Sequence, residues 1–130
     1  MRIRVLMFTC GALATGGCVA AAAGAGAAGA IYVIDRGVET SLLATVPTVE
    51  ASARRVFGEM GIKETKTGTT QEGGGEKRVL EGTLDDREIS VNIETAGTGS
   101  KVVVVARKTA VTWDKDLARS ILERIVAGAK

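Results

Sequence analysis

Along residues 88–94 apolar and polar side chains alternate without a break: Ile89, Val91 and Ile93 fall on one side, Glu88, Ser90, Asn92 and Glu94 on the other. That is the period of a strand with one covered face. Arg78 to Leu84 keeps the same rhythm through Leu80, Gly82 and Leu84. Lys101 to Lys108 differs, because its four consecutive valines are apolar on both faces until Arg107, the pattern of a central strand. Ile62 to Thr70 is polar throughout and predicts an edge. Upstream, Val38, Thr40, Leu42 and Ala44 alternate with Glu39 and Ser41, a short strand placed to pair with Ile31 to Ile34 across the turn Asp35-Arg36-Gly37.

Two segments carry the helical period instead. Val49, Ala53, Val56, Phe57 and Met60 recur at helical spacing, with Glu50, Arg54, Arg55 and Glu59 assigned elsewhere on the helix. Pro47 suits its first turn and Gly61 its left-handed end. Near the C-terminus Leu117, Ala118, Ile121, Leu122, Ile125 and Val126 form a wide apolar stripe that Asp114 is placed to cap. Between the strands, Glu72 to Gly75 reads as a loose turn and Asp85-Asp86 as a two-residue hairpin turn, since aspartate tolerates the left-handed conformation. The sum is an α+β fold: an antiparallel sheet of four to five strands with two helices packed on one face. At 130 residues the chain has room for one such domain.

The first thirty-odd residues do not belong to that pattern. Met1 to Arg4 is a positive n-region and Val5 to Gly17 an apolar h-region ending in small residues, the order of a secretory signal. The next residue is Cys18. Here the chain resembles a bacterial lipoprotein signal, in which a cysteine after small residues receives a diacylglycerol thioether and is then acylated on its new N-terminus. Such signals usually place Leu three residues before the cysteine, where this chain has Thr15. Two or three acyl chains hold a protein to a bilayer essentially permanently, at about 0.8 kcal/mol per buried methylene. Val19 to Ala30 is almost all Gly and Ala, too little side chain for a core, and reads as a tether or as a small-xxx-small helix face. The rival reading takes Val5 to Ile34 as one uncharged run that spans the membrane as an uncleaved signal anchor. The expected organisation is a signal peptide over 1–17, a lipidated cysteine with its Gly/Ala tether over 18–34, and a periplasmic domain over 35–130.

Charge then narrows the function. The chain has 17 basic and 15 acidic residues, but Arg2 and Arg4 precede Cys18 and no acid does, so the part after the leader is formally neutral. That balance argues against a nucleic-acid partner. Histidine is absent, and both cysteines, Cys10 and Cys18, lie in the leader region. Asp85-Asp86 is the most site-like pair, as adjacent carboxylates can hold a hard cation, but its turn role accounts for it. Gly73-Gly74-Gly75 lacks the following Lys-Ser/Thr of a phosphate loop. Ser41, Ser52, Ser90, Ser100 and Ser120 have no histidine to activate them, which leaves only a Ser/Lys dyad without a motif. Trp113, Tyr32 and Phe57 are too sparse for a base-stacking platform, and Trp113 is expected to plug the sheet-to-helix corner or to serve as a surface anchor. No catalytic residue, cofactor or metal is expected.

Taken together, the cysteine followed by AAAAGAGAAGAIYV, the helix TVPTVEASARRVFGEMGI, the strand pair KRVLEGTLDDREISVNIE and the terminal ARSILERI are similar to a family of small Gram-negative lipoproteins known only as a domain of unknown function. The resemblance implies an α+β fold facing the periplasm and supplies no catalytic residue. The sequence thus points to a membrane-anchored envelope lipoprotein that acts as a structural or protein-interaction module. Its partners would be the bilayer, through acylated Cys18, and another envelope protein. Val19 after the cysteine resembles the outer-membrane sorting pattern. Three alternatives remain open: a carboxylate- or Ser/Lys-based envelope enzyme, an inner-membrane signal-anchored protein, and a small-ligand carrier with a cavity between helices and sheet.

Overall fold

The computed structural model describes residues 30–129, so the leader, Cys18 and the Gly/Ala stretch up to Gly29 lie outside the described residues. Six strands form one antiparallel sheet: β1 (Tyr32–Val33), β2 (Val38–Leu42), β3 (Lys63–Glu72), β4 (Gly75–Leu84), β5 (Arg87–Ala96) and β6 (Gly99–Arg107), in the spatial order β1-β2-β6-β5-β4-β3. Helix α1 (Val46–Met60) carries the chain from β2 to the far margin, where β3 starts a meander that returns to β2. Helix α2 (Lys115–Gly128) follows β6 and packs beside α1 on the same face.

The fold class is the expected one, with six strands where the pattern predicted four to five. The first pairing is local: β1 is two residues long and held by a turn in which the Ile34 N–H donates to the Gly37 carbonyl at 2.9 Å. This is the pairing expected between Ile31 to Ile34 and the following strand across Asp35-Arg36-Gly37, shortened to a two-residue ladder.

The helices form where their caps allow. α1 begins with Pro47 in its first turn, where a missing N–H is harmless. It ends at Gly61, in the left-handed region at φ 71°, and the Ile62 N–H reaches back to the Phe57 carbonyl at 2.8 Å. This is the Schellman arrangement, and it folds Ile62 into the core beside Phe57. α2 begins at Asp114, whose carboxylate accepts from the Leu117 N–H at 3.0 Å.

Register places the core. Leu80, Val91, Val104 and Val38 stand opposite one another across β4, β5, β6 and β2, and all four are fully buried under the helices. Gly82 continues the covered face of β4 because only a residue without a side chain fits: a Cβ there would lie 2.7 Å from Ile62 Cγ2 and 3.1 Å from Phe57 Cε2. Between the helices, the buried Ser52 hydroxyl donates to the Ile125 carbonyl at 2.7 Å and fixes their mutual height.

Candidate functional site

The face of the sheet opposite the helices is open. Across it run rows set by the register: Lys66, Glu81, Ser90 and Val105; then Gly68, Val79, Asn92, Val103, Glu39 and Tyr32; then Thr70, Lys77, Glu94, Lys101 and Ser41. Opposite charges alternate along the last row, and cross-strand pairs of that kind stabilise a solvated sheet face by a few tenths of a kcal/mol each, up to about 1. The half-buried Val103 and Val105 lie on this face, so β6 is central in the sheet as expected yet covered on one side only.

At one end of the open face is a cleft of about 490 Å³, bounded by Arg36 and Trp113 on one side and Thr65 on the other, with Glu81, Ser90 and Val105 on its floor. Trp113 is placed by main-chain bonds. It forms an isolated bridge with Arg107, and the Asp114 N–H donates to the Ala106 carbonyl at 2.7 Å. The Arg36 guanidinium lies over the indole, 5.5 Å from the ring centroid, a cation–π arrangement. Arg107 pairs with Glu88 at the cleft's margin. Among the described residues neither Arg36 nor Glu81 has an ion-pair partner.

The segment after β6 is folded on itself. The N–H groups of Lys108 and Thr109 donate to the Thr112 carbonyl at 2.9 and 3.3 Å, and the Thr109 and Thr112 hydroxyls are 2.6 Å apart. Val111 is left exposed at its tip. Beneath it Arg87 donates from Nε to Asp114 Oδ2 at 3.0 Å and also pairs with Asp86. The hydrogen bonds to Asp114 and then Asp86 raise the Arg87 pKa above its ordinary value. Asp114 is held below the usual carboxylate range, chiefly by the Leu117 N–H, with Arg87 assisting against partial burial.

A second charged cluster lies on the helix side. Glu50 is buried, pairs with Arg54 at 2.9 Å and with Arg78 of β4, and Arg54 continues to Glu64 of β3 at 2.9 Å. This corrects the expectation that Glu50 lies off the packed stripe of α1. Position 50 follows 46 by four and precedes 53 by three, so it falls on the stripe, and two guanidinium groups compensate its burial. The cluster joins α1 to the sheet margin that the apolar core does not reach.

The sequence-predicted candidates are not brought together. Asp85, at φ 53°, and Asp86 form the tight turn between β4 and β5. Gly73 and Gly74, at φ 57° and 82°, form an equally tight turn between β3 and β4, a correction to the loose turn expected there. The Ser52 and Ser100 hydroxyls are committed to the Ile125 and Ala44 carbonyls, while Ser90 accepts from Asn92 Nδ2 at 3.2 Å on the open face. Phe57 is in the core and Tyr32 is exposed at the opposite margin. Trp113 stands at the strand-to-helix connection as expected, half-buried on the open face and outside the core cluster. The cleft lies on the open face, whereas the carrier reading requires a cavity between helices and sheet. Among the described residues no group of three or more Cys, Asp or Glu could hold a metal, and no helix is long and apolar enough to cross a membrane. Cys18 lies outside the described residues.

Sequence reasoning missed the pairing of Arg36 with Trp113. The only signal for it was the position of Arg36 in a predicted turn next to a central strand. Comparison with models of known families, with curated proteins and with solved structures finds no match.

Proposed function

We propose that this chain is a lipid-anchored envelope protein whose folded domain is an interaction module, docking another envelope protein in the cleft walled by Arg36 and Trp113. The anchor part of the reading comes from the leader that ends at Cys18 and from the resemblance to small Gram-negative lipoproteins; it places the domain in the periplasm, held to the outer membrane. The docking part is carried by one observation: an indole fixed by its neighbours' main-chain bonds and overlain by a guanidinium faces an open, half-polar cleft. Trp and Arg are the side chains that most often dominate protein interfaces, and anchoring groups that are already ordered lose little entropy on binding.

Both parts have a direct test. Intact-mass measurement of the native protein is expected to show a chain beginning at acylated Cys18; a species that keeps Met1 and a free thiol overturns the anchor. Affinity capture from solubilised envelopes is expected to recover one consistent partner with the natural chain and to lose it with Trp113→Ala or Arg36→Glu. Equal recovery by all three overturns the docking site.

A further inference from the structure

The two margins of the sheet are built differently. At one, β1 covers part of β2 with two residues, and the Thr40 hydroxyl donates to the Ala30 carbonyl at 3.1 Å. At the other, β3 is ten residues long, has no proline, and from Lys63 to Gln71 is exposed on both of its faces save for the half-buried Gly68. A bulge between Glu64 and Lys66 interrupts only its beginning; from Lys66 to Glu72 the register with β4 is unbroken. Long, regular edges of this kind are templates for a further strand.

The register says which main-chain groups are free. Gly73 and Gly74, both at positive φ, close a two-residue turn of the primed type, so Glu72 and Gly75 are the hydrogen-bonded pair that flanks it. Pairs alternate from there. Glu72, Thr70, Gly68 and Lys66 therefore spend their N–H and C=O on β4, while Gln71, Thr69 and Thr67 aim theirs outward.

We infer that β3 pairs antiparallel with β3 of a second copy of this chain, about a two-fold axis at Thr69. In that register Thr69 faces Thr69 and Thr67 faces Gln71, so every outward N–H and C=O of the three residues meets a partner. Lys66 falls opposite Glu72 on both sides of the axis, and Gly68 opposite Thr70. No like charges are opposed, and the facing threonines are a favourable cross-strand pair. Both copies place their helices on the same side of one continuous sheet. A neighbouring register, with Thr70 on the axis, would still set Thr69 against Gln71, but it would put Thr67 opposite Gly73 of the turn and separate Lys66 from Glu72. The number of main-chain groups paired and the match of charges along the strand thus favour the same alignment. The inference concerns the margin remote from β1 and depends on neither the anchor nor the cleft.

The test uses the full chain in detergent, read by sedimentation equilibrium and by hydrogen exchange of individual amides. The natural chain is expected to gain dimer mass with concentration and, in step, to slow exchange at Thr67, Thr69 and Gln71. Thr69→Pro removes an N–H that β4 does not use, so it is expected to leave the thermal melt in place and to abolish the dimer. Lys66→Glu is expected to weaken association by up to about tenfold, and adding Glu72→Lys to restore it. A monomer at every concentration, a dimer that survives Thr69→Pro, or a charge swap that fails to restore association would overturn the inference.

Discussion

The two faces of β4, β5 and β6 are made from neighbouring residues of the same strands, yet they obey different rules. On the covered face Leu80, Val91 and Val104 are sealed by the helices, and each loses its contact with water completely. One residue along, Val79, Asn92 and Val103 form the corresponding row of the open face and remain half-buried by lateral neighbours alone. Stability is concentrated in the first set. The second is free to vary its chemistry, which is where a binding surface can be carried without cost to the fold.

Adjacent substitutions measure that contrast. Leu80→Ala is expected to cost about 2–5 kcal/mol in denaturant unfolding, because it leaves a cavity under both helices, whereas Val79→Ala should cost well under half as much. Adding atoms on the covered face should also be felt: Gly82→Ala puts a methyl against Ile62 and Phe57 and is expected to cost about 1–3 kcal/mol. On the open face, removing the Ser90 hydroxyl with Ser90→Ala is expected to stay within about 0.5 kcal/mol of the natural chain. Equal effects on the two faces would mean that the open face is packed against something in solution.

Asp114 lies between these extremes, since it caps α2 and also pairs with Arg87 at the start of β5. Asp114→Ala is expected to cost about 0.5–2 kcal/mol at neutral pH. The sign with pH follows from its lowered pKa: the carboxylate's contribution is complete above the unfolded-state value near 4 and is lost as pH falls through the lower folded value. Melting the natural chain and Asp114→Asn side by side should therefore show a gap that is constant at neutral pH and closes in acid. A gap that widens in acid would contradict the assignment. The smallest effect expected is that of salt on the open face: the alternating row of Lys77, Glu94 and Lys101 should make Glu94→Gln slightly destabilising in dilute buffer and neutral at high ionic strength.

The sequence exposed this architecture wherever a local rule acted alone. Alternation in β5, the capping roles of Gly61 and Asp114, and the Asp85-Asp86 turn needed no knowledge of the rest of the chain. β6 shows where local reading stops. Four valines in succession have no period, so the run cannot say that Val102 and Val104 are sealed while Val103 and Val105 are not; the answer lies in β5, whose Ser90 and Asn92 mark the open side. Glu50 was misplaced for a related reason. Its charge suggested water, but its guanidinium partners come from one turn further along α1 and from β4, and a buried carboxylate is tolerable only once those are in position. The candidate cleft was the least legible part. Arg36 and Trp113 are far apart in sequence and meet only because β2 pairs with β6, a neighbourhood created by tertiary topology.

The point where the chain enters the domain, beside β2, has a mechanical implication. Ala30 lies at one margin of the sheet and β3 at the other, so two domains joined through β3 would receive their chains at opposite rims of a twelve-stranded raft, about 50 Å apart at the usual strand spacing. Were each chain anchored at its N-terminus as proposed, two attachment points that far apart would resist rocking in a way that one cannot and would favour an assembly lying flat over the lipid headgroups.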